Sequence, residues 1–387
     1  MIHPKPSGTG FRTRSRSRSS ISCSPLRTMT DGGMAPFGFP GLPTRIEFGA
    51  RSRYRLVEAA DRAGIDRPLV LTTPRGALVL ADIDSVIPVH ACAVFEGSRV
   101  HVPAGTIEEA QAVARDARAD GVIAIGGGSA IGLAKALAHY DGLPFVALPT
   151  TLAGSEMTSV WGETTDGHKR TARDEKVRPR EVIYDPELLQ SLSTELAVQS
   201  AINALAHVAE AAYAHNTSPL VQTLAHAGAE AISDGLEGIL RTQRGALDRL
   251  LYGAMLAGMC LSSAAMCLHH KICHVIGGAL DLPHAATHAI VLPHALALNL
   301  PGAPTAEHIL ASAFRSSLPE KRLHTLLAQS SAPVALAQLG APRNSVLALA
   351  GRVVEELGDP PTNPVAVTDA DIELLLGRAW EGASPER

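Results

Sequence analysis

From residue 42 to about 185 the chain alternates short apolar runs with amphipathic segments. "LPTRIEFGA" (42–50) alternates in hydropathy and predicts a strand, and "RSRYRLVEAADRAG" predicts a helix. Strands follow in "RPLVLTTPRG" (67–76) and "ACAVFEG" (91–97). "TIEEAQAVARDARADG" predicts a helix opened by Thr106, with acids in its first turn and Gly121 as its close. "VIAIGGGSAIGLAKALAHY" is an apolar run, a glycine turn and a helix, and "PFVALPTT" (144–151) is another buried strand. Strands alternating with helices predict an α/β fold with a parallel sheet and helical crossovers. The polar, turn-rich "WGETTDGHKRTARDEKVRPREVIYDP" reads as a hairpin.

After Asp185-Pro186 the period changes. Apolar residues recur at helical spacing to the end, with few β-branched runs. "STELAVQSAINALAHVAEAAYA" opens on Ser193 or Thr194 as cap, with Glu195 in the first turn. "ALDRLLYGAMLAGMCLSSAAMCLHHKICHVIGG" is longer and more apolar and predicts a buried element, and 305–382 offers several shorter helices broken by Pro and Gly. The expected organisation is an Arg/Ser-rich extension (1–36), an α/β nucleotide-binding domain (37–186) and an all-helical catalytic domain (187–387).

Composition narrows the function classes. Apolar residues make up 46%, charged residues 19% and aromatic residues 4%, the profile of an alanine-rich globular chain. A formal net charge of −4 supplies no global attraction to nucleic acid or to an anionic membrane, and neither is expected as a partner. The RSRSRS run near the N-terminus is basic, but reads as a solvated tail or transit-like segment. Cys23, Cys92, Cys260, Cys267 and Cys273 form an odd set without a CxxC pair, which predicts reduced thiols and a cytoplasmic location.

Two patterns carry chemistry. In "VIAIGGGSAIGLAK" (122–135), Gly126, Gly127, Gly128 and Ser129 stand where a strand gives way to a helix. Backbone N–H groups there can approach a phosphate, and the helix terminus adds partial positive charge. Gly132 lets the following helix lie close to a ligand or a neighbouring strand. The spacing matches neither GxGxxG nor a P-loop, so a tight turn without a ligand is the competing reading. "LPTTLAGSEMT" (148–158) tips the balance, because Thr150, Thr151 and Ser155 follow a strand's C-terminal end, where open α/β sheets bind ligands.

The second pattern is a set of imidazoles. Asn203 and His207 are four apart, as are His270 and His274, so each pair shares a helix face. Lys271 lies beside them, and His284 follows Pro283 in what reads as a loop. A single histidine on a small-residue helix is usually a packing residue, and His139, His215, His226, His288 and His294 are read that way. Two spaced pairs plus His284 indicate chemistry. With neutral Asn203 where a carboxylate could stand, and no acid evident in the pattern, they indicate a metal less strongly.

In this order "GGGSAIGLAK", "PTTLAGSEMT", "NALAHVAE" and "LHHKICHVIGGALDLPHAATHAIVLPH" resemble the iron-containing alcohol dehydrogenase-like, or dehydroquinate-synthase-like, superfamily from about residue 37 onward. In its metal-dependent members a helix carries Asp-x-x-x-His, and two further histidines come from positions like His270 and His284. Here the aspartate position is Asn203. That exchange, Gly132 and the "HHK" before the predicted catalytic helix resemble the maleylacetate reductase branch in particular.

The resemblance implies reduction of the conjugated C=C bond of maleylacetate to 3-oxoadipate by NADH or NADPH, a homodimer, and no metal. It places Gly127, Gly128, Ser129, Thr150, Thr151 and Ser155 at the cofactor and Asn203, His207, His270, Lys271, His274 and His284 at a small dicarboxylate substrate, with His274 as the acid. A metal-dependent alcohol dehydrogenase that accepts Asn as a ligand is an alternative. A lyase that uses NAD only transiently is a second. Arg75, after the second strand, could tolerate a 2′-phosphate, but nothing in the sequence chooses between the two nicotinamides.

Overall fold

In the computed structural model, which describes residues 43–74, 76–82, 91–165, 168–358 and 362–387 together with residues 1 and 41, eight strands form two sheets. The strands are β1 (Arg45–Phe48), β2 (Pro68–Leu71), β3 (Ala93–Phe95), β4 (Gly121–Gly126), β5 (Phe145–Pro149), β6 (Val160–Thr165), β7 (His168–Arg173) and β8 (Glu181–Tyr184). Six make one parallel sheet in the order β1-β8-β5-β4-β2-β3. β6 and β7 pair antiparallel as the expected hairpin, from Val160 opposite Arg173 to Thr165 opposite His168. β8 was hidden in the same polar stretch, and its four buried residues belong to the main sheet.

The helices of this half are α1 (Leu56–Arg62), α2 (Ala77–Asp82), α3 (Ala104–Asp116) and α4 (Gly128–Asp141). β2, β4, β5 and β8 are buried along their whole length because both sheet faces are covered, and the first three accordingly read as continuous apolar runs. The two-residue period separates two cores. Leu69, Leu71, Val122 and Phe145 face one core with Ile131 and Leu137 of α4, while Val70, Ile123, Ile125 and Val146 face the other with Leu56 and Ala59 of α1.

α3 corrects the predicted boundaries. It starts two residues earlier than Thr106, behind Pro103, whose φ of −60° and ψ of 143° direct the chain into the helix. Thr106 is buried inside it, and its first turn holds no acid. Arg118, at φ 49°, turns the chain out, and Gly121 begins β4.

Among the described residues ten α-helices follow: α5 (Thr194–Tyr213), α6 (Pro219–Leu240), α7 (Ala246–Ser263), α8 (Leu268–Leu280), α9 (His284–Asn299), α10 (Pro304–Phe314), α11 (Pro319–Gln329), α12 (Arg343–Leu347), α13 (Ala350–Leu357) and α14 (Asp369–Glu381). Ser193 caps α5 by accepting the Leu196 N–H at 3.3 Å. Buried from Ala197 to Ala212 except at Ser200, α5 is rich in alanine, which favours helix and lets α6, α7 and α9 pack closely on it. α7 also supports the loop after β5: a Cβ on Gly258 would lie 2.6 Å from the Gly154 carbonyl oxygen. Among the described residues no single helix is long and apolar enough to cross a membrane. The RSRSRS run, Cys23 and Arg75 lie outside the described residues.

Candidate active site

Strand order reverses between β2 and β4, since β3 lies to one side of β2 and β4, β5 to the other. Open α/β sheets receive ligands at the carboxyl ends of strands at such a point. Gly126 ends β4 at φ 149°, Gly127 is the N-cap of α4, and Gly128 and Ser129 open that helix. A Cβ on Gly127 would fall 2.7 Å from the Thr151 methyl, whereas one on Gly128 would meet no protein atom within 4 Å. The backbone therefore comes closest to open space at Gly128.

The Thr150 N–H donates to the Gly126 carbonyl at 3.1 Å and ties the second loop to the first. Ser155 adds a buried Oγ without a hydrogen-bond partner. Glycine backbone, free helix-terminal N–H groups and an orphaned hydroxyl suit the pyrophosphate of a dinucleotide. Gly132 has a different role: a Cβ there would meet the Val102 side chain at 2.8 Å, so it allows close packing.

Lys135 was not singled out by its sequence. Fully buried on α4, it donates to the carbonyls of Ser155 (2.7 Å), Thr158 (2.8 Å) and Val160 (2.7 Å) and to Thr158 Oγ1 (2.9 Å). Burial pushes its ammonium down to about 7, against the attraction of Glu156. Arg178 anchors the same loop through the Met157 carbonyl at 2.8 Å.

The histidines gather on three helices. Asn203 and His207 are buried on α5, and His270 and His274 lie on α8, the first buried and the second exposed. His284 is exposed and is the first residue of α9 rather than part of a loop, because Pro283 is that helix's N-cap. The "HHK" triplet likewise falls within α8 and not before it. His207 stacks on His270 with ring centroids 4.9 Å apart, and His274 stands edge-on to His270 at 6.1 Å. His288, read above as a packing residue, is inside the cluster, its ring 4.2 Å from His284 and 5.1 Å from His270. Lys271 is turned toward α13, its ammonium 3.8 Å from Glu356.

Among the buried polar atoms of this cluster without a hydrogen-bond partner are Asn203 Oδ1, His207 Nδ1 and His270 Nε2. Burial, then repulsion by His270, His284 and His274 when charged, holds the His207 imidazole well below its ordinary range, so it is neutral.

The acid that the pattern did not reveal is Glu210, one turn beyond His207 and fully buried. Its carboxylate accepts from the Cys267 N–H (2.7 Å) and the His269 N–H (2.6 Å) and lies 2.7 Å from His270 Nδ1. The i,i+3 step after His207 was the available signal. Nothing local distinguishes it from an ordinary helical glutamate, and its partners are 57 to 60 residues away.

The donor set is a poor fit to the metal position of the wider superfamily. Asn203 offers a neutral oxygen, and although three imidazoles can hold zinc, those of 207, 270 and 284 do not bring three ligand atoms within 4.8 Å of one another. Among the described residues that spacing is met only by His269, Cys273 and His288. His269 and His288 share a 3.0 Å hydrogen bond, and their outer nitrogens, His269 Nδ1 and His288 Nε2, have no acceptor to orient them as ligands. Burial raises the Cys273 thiol well above its usual range, and Glu210 raises it further. These three form a neutral layer behind the site.

Residues 43–186 match the family described as iron-containing alcohol dehydrogenase, and residues 197–380 match the Fe-containing alcohol dehydrogenase family, C-terminal. The chain belongs to the iron-containing alcohol dehydrogenase family and shares its oxidoreductase class. Within it, the similar curated relatives are maleylacetate reductases. That of Sphingobium indicum is 41% identical over 90% of this chain and 99% of its own, and that of Pseudomonas knackmussii is 43% identical over 88% and 97%. The crystal structure of maleylacetate reductase from Agrobacterium tumefaciens superposes with a TM-score of 0.86 at 37% identity, covering 91% of this chain and all of that one.

Proposed function

We propose that this protein reduces the conjugated C=C bond of maleylacetate to give 3-oxoadipate, with NADH or NADPH as reductant. The observation that carries the reading is the group of buried, partnerless atoms Asn203 Oδ1, His207 Nδ1 and His270 Nε2 beside exposed His274 and His284. Buried polar groups are normally satisfied, so orphans converging on one place call for a polar ligand.

Gly127, Gly128, Ser129, Thr150, Thr151 and Ser155 would hold the dinucleotide, whose reduced nicotinamide would supply a hydride when bound. Hydride arrival at the alkene carbon remote from the ketone pushes an electron pair onto the ketone oxygen as an enolate, and a proton must then reach the adjacent carbon. His270 faces the oxyanion through Nε2, and a preorganised donor in a water-poor site is worth about 3 kcal/mol in such a transition state. His274, exposed and on the same helix face, delivers the proton. His207 and His284 hold the carboxylates, while Lys271 would have to release Glu356 to join them.

An enolate is a far weaker base than the alkoxide formed in simple carbonyl reduction, so it depends less on a Lewis acid. Replacing a carboxylate by Asn203 removes one negative charge where a dianion must bind. Both points support a reaction carried by protein donors without a catalytic metal. Homodimerisation and a cytoplasmic location are part of the same proposal, carried by family resemblance.

The test is maleylacetate-dependent NADH oxidation by protein dialysed against a strong chelator, with residual metal quantified. Full turnover in metal-free protein is expected. Activity that disappears and returns with iron or zinc would favour the metal-dependent alcohol dehydrogenase reading and reassign the electrophile.

A further inference from the structure

We infer that Glu210 is a positioning residue that fixes the tautomer and direction of His270, so that Nε2 of that ring is the atom presented to substrate. The inference deepens the function proposed above and rests on it for its kinetic consequence, but not for its geometry.

Helix α8 begins at Leu268 behind Cys267, whose side chain makes no capping hydrogen bond. The first N–H groups of a helix have no intrahelical acceptor and carry partial positive charge. Glu210 supplies the missing cap from α5, with Oε2 on the Cys267 N–H and Oε1 on the His269 N–H. Both oxygens are thereby committed as acceptors at the positive end of a helix.

A carboxylate has only lone pairs to offer, so the 2.7 Å contact with His270 Nδ1 is an N–H donated by the ring. Nδ1–H toward Glu210 leaves Nε2 as the outward atom, and Nε2 is the buried nitrogen of that ring without a protein partner. The neighbours limit the alternatives. His207 stacks on one face of His270, and His269 and His288 stand edge-on to it at 5.3 and 5.1 Å. None of these three rings hydrogen-bonds to Nδ1. The Tyr213 hydroxyl also lies against Glu210, which burial and that carboxylate together hold protonated.

One side chain thus couples three things: where α8 starts, which way His270 points, and which nitrogen bears the fixed proton. Carboxylate–imidazole pairs of this kind set the basicity and aim of the ring; behind metal-ligating histidines, losing the carboxylate costs about 10- to 100-fold in affinity or activity.

The experiment uses the full chain labelled with ¹⁵N-histidine, with the His270 signals assigned by their absence from His270→Gln. In the wild type the expected spectrum has His270 protonated at Nδ1. In Glu210→Gln either orientation of the amide sets its NH₂ against the Cys267 or the His269 N–H, so the side chain no longer holds one arrangement and the single Nδ1–H tautomer of His270 should give way to a mixture. kcat should fall by about 10- to 100-fold with KM for NADH held within about twofold. Ile272→Val, a destabilising change elsewhere in α8, is the control and should leave the His270 spectrum and kcat unchanged.

A wild-type His270 bare at Nδ1 overturns the inference, and so does a folded E210Q protein with wild-type tautomer and kcat. If E210Q does not fold, the wild-type spectrum decides alone. If the wild type does not oxidise NADH with maleylacetate, the substrate assignment fails while the spectra still judge Glu210.

Discussion

His207 and His270 lie nearly parallel, with planes 26° apart and centroids at 4.9 Å, each keeping one buried nitrogen without a partner. Two stacked imidazoles cannot both carry charge cheaply. Burial keeps His207 neutral, and Glu210 lies at the edge of His270 only. The pair therefore has unequal members in a site shaped for an anion.

Asn203→Asp tests the charge argument. A carboxylate beside His207 and His270 should raise KM for maleylacetate about 10- to 100-fold through like-charge repulsion, leave KM for NADH near the wild-type value, and increase metal retained after purification. Steady-state kinetics with metal analysis would decide. An unchanged KM for maleylacetate would place the substrate carboxylates elsewhere.

His274→Ala should fold normally, because His274 is exposed, and should lose about 10²- to 10⁴-fold in kcat if it delivers the proton. A thermal melt alongside single-turnover NADH oxidation checks both halves. Wild-type turnover in the folded variant would remove His274 from the mechanism.

Gly128→Ala and Gly127→Ala separate fold from cofactor. The added methyl at 128 meets no protein atom within 4 Å, so stability should hold while cofactor affinity falls about tenfold or more. At 127 the methyl meets Thr151 at 2.7 Å and should cost stability as well, about 1–3 kcal/mol. Calorimetric titration of NADH with urea melts distinguishes the two, and undiminished NADH binding by G128A would count against this loop as the pyrophosphate site.

Lys135 predicts a pH dependence in cofactor binding. Its ammonium serves four oxygens of residues 155–160 and titrates at about 7. Deprotonation leaves two N–H donors, so the loop bearing Ser155 should loosen and KM for NADH should rise as pH passes above about 7. Lys135→Met should abolish that dependence and show a high KM throughout. A wild-type KM flat from about pH 6 to about pH 9 would contradict the link.

Acid stability follows from the neutral histidines. Burial, followed by the charges of neighbouring imidazoles, holds His207, His269 and His288 well below 6.5 in the fold. Below that pH the unfolded chain binds protons that the folded one refuses. Their contribution is therefore complete above pH 6.5 and lost as pH falls, at up to ~1.4 kcal/mol per group per pH unit. Urea midpoints at about pH 7 and about pH 5.5 should show the fall, and His288→Gln should flatten it. Parallel slopes for variant and wild type would refute the assignment.

The sequence by itself determined what short-range periodicity can encode. Continuous apolar runs bounded by glycine and proline read as parallel strands because both sheet faces are covered, and Ser193 marked the start of α5 because capping is local. The i,i+4 pairs 203/207 and 270/274 announced themselves because a helix fixes which side chains share a face. Tertiary structure decided everything that depends on a distant partner. β8 is four residues in a polar stretch, and it became a central strand only because β1 and β5 flank it. Lys135 carries no local mark of its role, which exists only because the loop from 155 to 160 brings four oxygens to it. Glu210 has its role only because α8 places two N–H groups and an imidazole against it. A buried charge is legible only with its partner, and pairing across 57 residues is set by how helices pack, which no local pattern records.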